Sequence, residues 1–401
     1  MIQQQVQRET REGLGREVEA RARHAAATPD SFSERWLRFW ANHFTVAARN
    51  AQTIGLVGPF EREAIRPNVF GNFQTLLGAA SFHPGMLVYL DANRSIGPST
   101  QAAQRRDAGL NENLAREILE LHTMGVGSGY TQPDIIEFAK ALTGWTVGSP
   151  QTQRLVGAGR GRNARAGQLA GAQLAEAMAD SIGETVFAEP LHEPGARTVL
   201  GKKYGGPAKQ QAAAILDDVA MNPATARHIA TKLARHFVAD QPPASAVAKL
   251  ESAFLKSQGN LSTLARAVVD LDEAWAETPQ KFKTPEELLV SAARAAGPQA
   301  TFGGAQRQVY QSFAQQPFSA PSPAGWPDDT ASWSGADAIK KRLEWANAVS
   351  RRMVRTETPT DFLDRALGPI ATAKTRQAVA RAESAEQGFT LALMSPEFQR
   401  R

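Results

Sequence analysis

Cysteine is absent from this sequence of 401 residues. Its absence excludes disulfide bonds, thiolate metal sites and cysteine nucleophiles together. Long apolar runs are also missing, because no segment approaches the roughly 18 apolar residues that a membrane-spanning helix needs. The first 30 residues are polar and charged and contain no apolar core of the kind found in export signals. The sequence therefore predicts no membrane-spanning helix and no signal peptide.

An excess of one charge is lacking as well. The chain has 45 lysines and arginines against 40 acidic residues, which gives a formal net charge of +5. A protein that binds nucleic acid should concentrate basic side chains on one face. The densest basic segment, Arg154 to Arg165, is glycine-rich and is typical of a solvated loop, although it could contact a phosphate or an acidic partner. The composition therefore argues against nucleic-acid binding.

Strand signals are scarce, whereas helix signals recur. Ser31 to Glu34 resembles a capping box, and the cap-then-proline pattern occurs after Thr131, Asn222 and Thr284. Apolar residues then follow at helical spacing. The sequence predicts an all-α fold, a large multi-helix domain with long loops and little or no β-structure. Helices are expected from Ser31 and Thr131 and over residues 111–124, 224–238 and 286–296.

The predicted organisation is a single helical domain over residues 31–401, preceded by a helical extension over residues 1–30. Residues 148–181 are rich in Gly, Ala and Arg, and we expect them to form a mobile insertion that divides the domain into two halves. Residues 300–333 are rich in Gln, Pro, Ser and Gly and are expected to form a second loop. No fixed-period repeat is apparent, which argues against a solenoid.

The predicted helix over residues 111–124 has one apolar and one polar face. Glu112, Arg116 and Glu120 are four residues apart on the polar face, so Arg116 can pair with either carboxylate. Asn113 and Glu117 lie beside them. One interpretation is an exposed salt-bridge ladder, as is typical of helix surfaces. Alternatives are a buried polar network, which could bind a cation or act in acid–base catalysis, and a surface that only contacts a partner.

Three histidines are candidate metal ligands. His122 lies on the apolar face of the predicted helix over 111–124, His43 lies on another apolar stripe, and His192 is in a loop. A metal site would need three such side chains to converge, and no local H-E-x-x-H spacing is present. A histidine on an apolar face is more often a hydrogen-bonded core residue, and we favour that interpretation here.

Two tryptophans are candidate ligand-binding residues at loop edges. Trp145 follows Gly144, and Trp326 lies in the segment Gly325-Trp326-Pro327. Their rings could stack on a sugar or a partner, but closing the core from a loop is the favoured interpretation. The common nucleotide-binding, serine-hydrolase and calcium-binding signatures are absent from the sequence.

Two motifs carry a family resemblance. Residues 39–44 read F-W-A-N-H-F, and residues 111–123 read N-E-N-L-A-R-E-I-L-E-L-H-T. They resemble the signatures F-W-x-N-H-F and N-E-N-x-A-R-E-x-x-E-L-H-T of the bacterial family called domain of unknown function 1800. The resemblance runs from about residue 30 to the C-terminus. Further matching segments are Leu90 to Asn93, Tyr130 to Asp134, Ala141 to Trp145, His192 to Arg197, Lys283 to Glu286 and Ala324 to Pro327.

The resemblance implies a helical fold and a genomic partnership with an exported sulfatase-like family, domain of unknown function 1501. It implies no established activity, substrate or cofactor, so it supplies candidate positions without roles. Two features depart from the family pattern. Family members usually have an N-terminal segment with an R-x-x-F-G-like stretch and often an export signal, and neither is visible in this sequence. The family's H-D-x-G-x-K motif reads H-E-P-G-A-R at residues 192–197.

Three functions remain open from the sequence. The first is a helical accessory protein of a sulfatase-like hydrolase. The second is an enzyme or metal-binding protein, with a site at Glu112, Arg116, Glu117, Glu120, His43 and His122. The third is a binder of carbohydrate or surface polymer. Candidate binding residues are Asn42, Asn111, Asn113, Asp134, Trp145, His192 and Trp326.

Overall fold

The computed structural model describes residues 2–104, 109–150, 152–153, 181–277, 279–354 and 357–401. It is 64% helical and 5% strand, which confirms the predicted mainly α-helical class. Residues 154–180, which contain most of the predicted Gly/Ala/Arg-rich insertion, lie outside the described residues. No helix of the described segments has both the length and the apolar character needed to cross a bilayer.

The chain divides into two compact units. The first unit comprises Met1–Phe39, Thr231–Lys249 and Arg266–Arg401, and the second comprises Trp40–Ala230 and Leu250–Ala265. Four helices contain residues of both units, namely Ser31–His43, Pro223–Phe237, Ala244–Lys256 and Leu261–Val269.

The first unit is built from helices around one apolar core. Val18 and Ala22 of the N-terminal helix are buried in this core with Leu288, Trp345 and Phe389. The amphipathic helices each bury one stripe of apolar residues there, which stabilises them more than intrinsic propensity does. The α-helices are Ile2–Ala27, Pro285–Ala296, Pro298–Phe302, Gln306–Ser312, Thr330–Trp333, Ala336–Met353, Pro359–Leu367, Ala373–Ala380, Ala385–Leu393 and Pro396–Gln399, with 3₁₀ turns at Asp272–Trp275 and Gly368–Ile370.

The second unit has an aromatic core. The ring of Phe73 lies 5.8 Å from Trp40, 6.3 Å from Phe44 and 5.6 Å from Phe254, measured between centroids. The α-helices are Ala51–Ile54, Val57–Pro59, Phe73–Phe82, Pro84–Tyr89, Gln101–Gln104, Asn113–Glu117, Gln132–Leu142 and Ala208–Ala220. Two π-helical turns, Phe60–Ile65 and Ile118–His122, and two 3₁₀ turns, Ala92–Arg94 and Glu189–Leu191, complete the helices of this unit's described part.

The strands of the second unit form two short antiparallel pairs. Trp145–Val147 pairs with Thr185–Phe187, and Arg197–Val199 pairs with Lys202–Tyr204. The second pair is joined by Leu200 and Gly201, which both have positive φ angles of 52° and 76°. This conformation is typical of tight hairpin turns, and it is strained for leucine because of its Cβ atom.

The helix caps show which local signals hold. Thr131 and Thr284 cap their helices, as predicted, and the side chains of Asp134 and Glu287 complete capping boxes with them. The capping box predicted at Ser31 is wrong, because the helix begins at Ser31 and the carboxylate of Asp30 accepts the Ser33 N–H at 3.0 Å. The predicted loop over residues 300–333 is also partly wrong, since it contains the helices Gln306–Ser312 and Thr330–Trp333.

Candidate functional site

The helix predicted over residues 111–124 is not a continuous α-helix. Residues Asn113–Glu117 form an α-helical turn, which continues as a π-helical turn over Ile118–His122. The Thr123 hydroxyl donates to the Ile118 carbonyl at 2.6 Å, and the Gly125 N–H donates to the Leu119 carbonyl at 3.1 Å. Single π-turns within helices are rare and occur frequently at functional sites. The N-E-N-L-A-R-E-I-L-E-L-H-T motif at residues 111–123 therefore has an unusual backbone.

Two histidine side chains bond the last carbonyls of this π-turn. The His43 Nε2 atom lies 3.0 Å from the His122 carbonyl, and the His228 Nε2 atom lies 3.1 Å from the Leu121 carbonyl. A carbonyl can only accept, so each Nε2 atom carries the proton. The last carbonyls of a helix have no partner within the helix, and these histidines supply one.

Gly125 is required by this arrangement. Its φ angle is 89°, and a Cβ atom built on it would lie 2.8 Å from Nδ1 of His228. Any other residue would therefore be strained and would push the imidazole away from the π-turn. Neither Gly125 nor His228 is among the candidate site residues predicted from the sequence.

The polar face of the motif forms a ladder of paired side chains. Arg116 donates to Glu112 at 3.0 Å, to Glu120 at 3.4 Å and to the side-chain oxygen of Gln132 at 2.9 Å. The Gln132 amide in turn donates to Glu112 at 2.6 Å. The side chains of Glu112, Arg116 and Glu120 are 31%, 36% and 26% exposed. These four residues, hereafter the ladder, are paired and partly exposed to solvent.

Two titratable groups next to the ladder have shifted pKa values. Burial and the neighbouring Glu120 carboxylate raise the pKa of Glu117, and Arg116 partly offsets this effect. Burial and Glu120 also raise the pKa of the Tyr130 hydroxyl. Both shifts favour the protonated form, because a buried group near a like charge resists ionisation.

The candidate asparagines and Asp134 support the backbone around the ladder. The Asn111 side chain accepts the Asn113 N–H at 2.8 Å, and the Asn42 carbonyl accepts the Thr45 hydroxyl at 2.7 Å. Asp134 accepts the N–H of Leu200 at 2.7 Å as well as closing its own capping box. Although burial opposes ionisation, the bonds from Thr131 and Leu200 lower the pKa of Asp134. Asp134 therefore holds the strained hairpin turn at Leu200 against its helix.

His192 and the loop after it make a separate set of contacts. The His192 Nδ1–H donates to the Thr143 carbonyl at 2.8 Å, and the Glu193 N–H donates to the Thr143 hydroxyl at 2.8 Å. The Glu193 carboxylate accepts the Ser99 hydroxyl at 2.7 Å and the Ser99 N–H at 2.8 Å. Burial lowers the pKa of His192, and Arg197 adds to this effect. These contacts join the H-E-P-G-A-R loop to two other segments of the second unit, those around Ser99 and Thr143.

The histidines do not assemble with acidic groups into a metal centre. The rings of His43 and His122 lie 6.0 Å apart between centroids, whereas His192 contacts a different set of residues that includes Thr143 and Phe187. Over the described segments of the chain, no three histidine, cysteine or acidic side chains form a group that could hold a metal ion.

The two candidate tryptophans each contact aromatic neighbours. The Trp145 ring lies 4.4 Å from Phe82 and 5.4 Å from Phe187, and the Trp326 ring lies 6.1 Å from Trp333. Both are half-buried. Such packing is typical of rings that close a core from a loop edge, although part of each face stays accessible.

The family model described as protein of unknown function (DUF1800) matches residues 1–400. The chain belongs to this family. The match also covers the N-terminal 30 residues, where no resemblance had been detected by motif. No curated protein and no solved structure matches the chain.

The DUF1800 motifs converge in part. The F-W-A-N-H-F segment supplies His43, which bonds the backbone at the end of the N-E-N-L-A-R-E-I-L-E-L-H-T segment. The following segment supplies Gln132, which completes the ladder and was missed as a candidate, although its place beside Thr131 and Asp134 was a usable signal. The H-E-P-G-A-R segment instead contacts the segment Ala141 to Trp145, because His192 bonds the Thr143 carbonyl.

Proposed function

We propose that this DUF1800 protein is a helical binding protein that docks a protein partner through the ladder. The family resemblance suggests the partner, an exported sulfatase-like protein of domain of unknown function 1501 encoded nearby. One observation supports docking: Arg116 is held by Glu112, Glu120 and Gln132 while remaining partly exposed. A pre-ordered surface binds with a smaller loss of conformational entropy than a mobile one.

The charge of the surface indicates what the partner presents. Two carboxylates, those of Glu112 and Glu120, flank the single guanidinium of Arg116, so one negative charge remains uncompensated within the ladder. Such a surface favours lysine and arginine side chains on the partner. Attraction between exposed charges weakens as salt screens it, so the association should weaken with ionic strength.

The experiment is a binding measurement between the full chain and the sulfatase-like protein encoded beside it. The test variant replaces Glu112 and Glu120 together by glutamine, which keeps their size and removes their charge. The control variant is Asp337→Asn with Glu344→Gln, because these residues form similar exposed pairs with Lys341 and Lys340 in another helix. We expect the test variant to bind at least about tenfold more weakly and the control to bind as the native chain.

Two outcomes would contradict the proposal. One is failure of the native chain to bind the neighbouring protein at low ionic strength. The other is equal binding by the native chain and the Glu112→Gln, Glu120→Gln variant. Circular dichroism of both variants checks that the helices persist, as expected, since exposed pairs at this spacing contribute only about 0.5 kcal/mol each.

A second candidate function is proton transfer by Glu117. It is favoured by the raised pKa of this carboxyl and by its position near Tyr89, whose pKa is raised by burial. A carboxyl whose pKa is raised keeps its proton to a higher pH than an ordinary one and can act as a general acid. Titration of carbon-labelled glutamate by NMR tests this candidate, and an ordinary pKa for Glu117 would remove it.

A further inference from the structure

A cluster of ionisable side chains lies in the first unit, remote in sequence from the ladder. Arg35, Lys283, Arg342 and Arg401 all lie within electrostatic reach of one carboxylate, that of Glu287. Among the residues that the structure describes, only Arg401 pairs with it directly, with its Nε atom 2.7 Å from the Glu287 oxygen. We call these four basic residues the cation cluster.

The other three cations have neutral neighbours. The Lys283 ammonium donates to the Phe398 carbonyl at 2.7 Å and lies 4.6 Å from the centroid of the Phe398 ring. Arg342 donates to the side-chain oxygen of Gln399 and to the Lys283 carbonyl, both at 2.7 Å. The guanidinium carbon of Arg35 lies 5.2 Å from the Phe237 ring. Over the described residues, none of the three has a carboxylate within salt-bridge distance.

The nearest other carboxylates are already engaged. Asp328 accepts His236 at 2.6 Å, Arg401 at 3.4 Å and lies 3.5 Å from the Lys281 ammonium. Asp240 accepts Lys281 at 2.5 Å and the Thr330 N–H at 2.8 Å. These two carboxylates therefore compensate Lys281 and part of Arg401, and they leave Arg35, Lys283 and Arg342 without a negative charge of their own.

The total charge of these side chains and their neighbours also shows an excess of positive charge. Three carboxylates, those of Asp240, Glu287 and Asp328, face six basic side chains, so a surplus of three positive charges remains. The six basic residues are Arg35, Lys232, Lys281, Lys283, Arg342 and Arg401. Glu286 does not reduce the surplus, because it is paired with both Arg21 and Arg38.

A surplus of this kind is costly inside a protein. Desolvation penalises a buried charge, and only an opposite charge with good geometry offsets that penalty. The cost is visible at Lys283, where burial lowers the pKa to about 7 and the charges of Arg35, Arg401 and Arg342 lower it further against the opposing effect of Glu287. A fold that keeps three such cations together is expected to use them on an anion.

We infer that the cation cluster binds a tetrahedral oxyanion, a sulfate or phosphate group carried by a small molecule or polymer. Guanidinium forks and an ammonium group donate several charge-assisted hydrogen bonds to such an oxyanion. The Nε atom of Arg35 is buried and has no acceptor over the described residues, so it offers one such donor. This inference is independent of the proposed docking surface, which lies in the second unit.

The experiment measures the thermal midpoint of the full chain with sodium sulfate, sodium phosphate or sodium chloride at matched ionic strength and pH 6.5. We expect sulfate or phosphate to raise the midpoint saturably, by roughly 5 °C over chloride, as mass action requires for a ligand of the folded state. The anion with the lower half-saturating concentration identifies which group the site prefers. Because sulfate also stabilises folded proteins in general, the deciding comparison is between variants.

The test variant is Lys283→Met, with Lys283→Arg as the charge-conserving variant. Lys340→Met is the surface control, since the Lys340 side chain is 73% exposed. Lys283→Met should lose the saturable increment, whereas the other two variants should keep it. Lys283→Met should also have at least the native midpoint in chloride, because it removes an uncompensated charge.

Three results would overturn the inference. The first is an equal midpoint of the native chain in all three salts. The second is an unchanged increment in Lys283→Met. If Lys283→Met does not fold, loss of the increment in Lys283→Arg together with isothermal titration of the native chain showing no heat of sulfate or phosphate binding would equally exclude the site.

Discussion

His43 and His122 are joined through the backbone, with the Nε2 atom of His43 3.0 Å from the carbonyl oxygen of His122. This contact joins the F-W-A-N-H-F segment to the end of the N-E-N-L-A-R-E-I-L-E-L-H-T segment. The last carbonyls of a helix receive no hydrogen bond within the helix, and the His43 imidazole donates one to the His122 carbonyl. The end of the π-turn therefore depends on a side chain 79 residues away.

Replacing His43 by alanine should destabilise the second unit by about 2–4 kcal/mol. The change leaves the buried His122 carbonyl without its donor and leaves a void beside Phe44, whose ring lies 4.6 Å from that of His43. Urea unfolding followed by circular dichroism measures the loss. The control is His24→Ala, because the His24 side chain is 54% exposed. Similar losses in the two variants would contradict the role given to His43.

Gly97 should not tolerate alanine. A Cβ atom at this position would lie 2.5 Å from the backbone nitrogen and 2.6 Å from the Cα atom of Glu193. Backbone cannot rotate away as a side chain can, so the loop holding His192 and Glu193 must move. We expect Gly97→Ala to cost about 2–4 kcal/mol, measured as a fall in the denaturation midpoint.

Gly78→Ala provides the matched comparison for that substitution. Gly78 lies within the helix Phe73–Phe82, and a Cβ atom there would meet nothing within 4 Å. Alanine in a helix interior is favoured over glycine by about 0.5–1 kcal/mol, so this variant should be slightly more stable than the native chain. Equal effects of the two substitutions would show that the close approach at Gly97 is not decisive.

Two lysines in neighbouring positions should respond in opposite ways to methionine. The Lys281 side chain is 1% exposed and pairs with Asp240 at 2.5 Å and with Asp328 at 3.5 Å. Removing it takes the cation from Asp240 and one of the partners from Asp328, which keeps Arg401 and His236, and this should cost about 3–5 kcal/mol. Lys283 has no carboxylate within salt-bridge distance in the described segments, so Lys283→Met should not lower stability. Thermal unfolding in chloride buffer measures both, and a shared loss would contradict this division of charge.

Local signals predicted much of the secondary structure. Thr131 and Thr284 cap their helices as the cap-then-proline pattern indicates, and the apolar residues Leu114, Ala115 and Ile118 are buried on the expected face. These features depend on residues within four positions of each other, where one sequence window contains both partners. The pairs of Arg116 with Glu112 and Glu120 were predictable for the same reason.

Contacts between distant segments could not be predicted in this way. The π-turn over Ile118–His122 depends on donors from His43 and His228, which no periodicity relates to it. The cation cluster likewise combines residues of four separate segments, at positions 35, 283, 342 and 401. The sequence marks Lys283 only as part of a family motif. Whether a lysine has a carboxylate partner depends on the fold, and Lys283 has none within salt-bridge distance among the described residues.

The pH dependence of stability should report the buried lysines. Burial lowers the pKa of Lys283 to about 7 and that of Lys232 to about 8, from an ordinary value of 10.5. Between pH 7 and about 9.5 the unfolded chain therefore binds more protons at these positions than the folded chain does. Stability from these two groups must then rise with pH, by at most about 1.4 kcal/mol per pH unit for each lysine.

The measurement is the thermal midpoint of the native chain and of Lys283→Met at pH 6.5, 8 and 9.5, in chloride without sulfate or phosphate. The groups facing Lys283 are Arg35, Arg342, Arg401 and Glu287. Because burial lowers the pKa of Arg35 and of Arg342 to about 10, the comparison between pH 6.5 and 8 is the one that reports Lys283. The native chain should gain on the variant as pH rises, because its ammonium group loses the charge that burial opposes. Parallel curves would show that Lys283 stays protonated in the folded chain. Adding sulfate at pH 6.5 should reduce the native chain's deficit, since a bound anion supplies the charge that the neighbouring carboxylates do not.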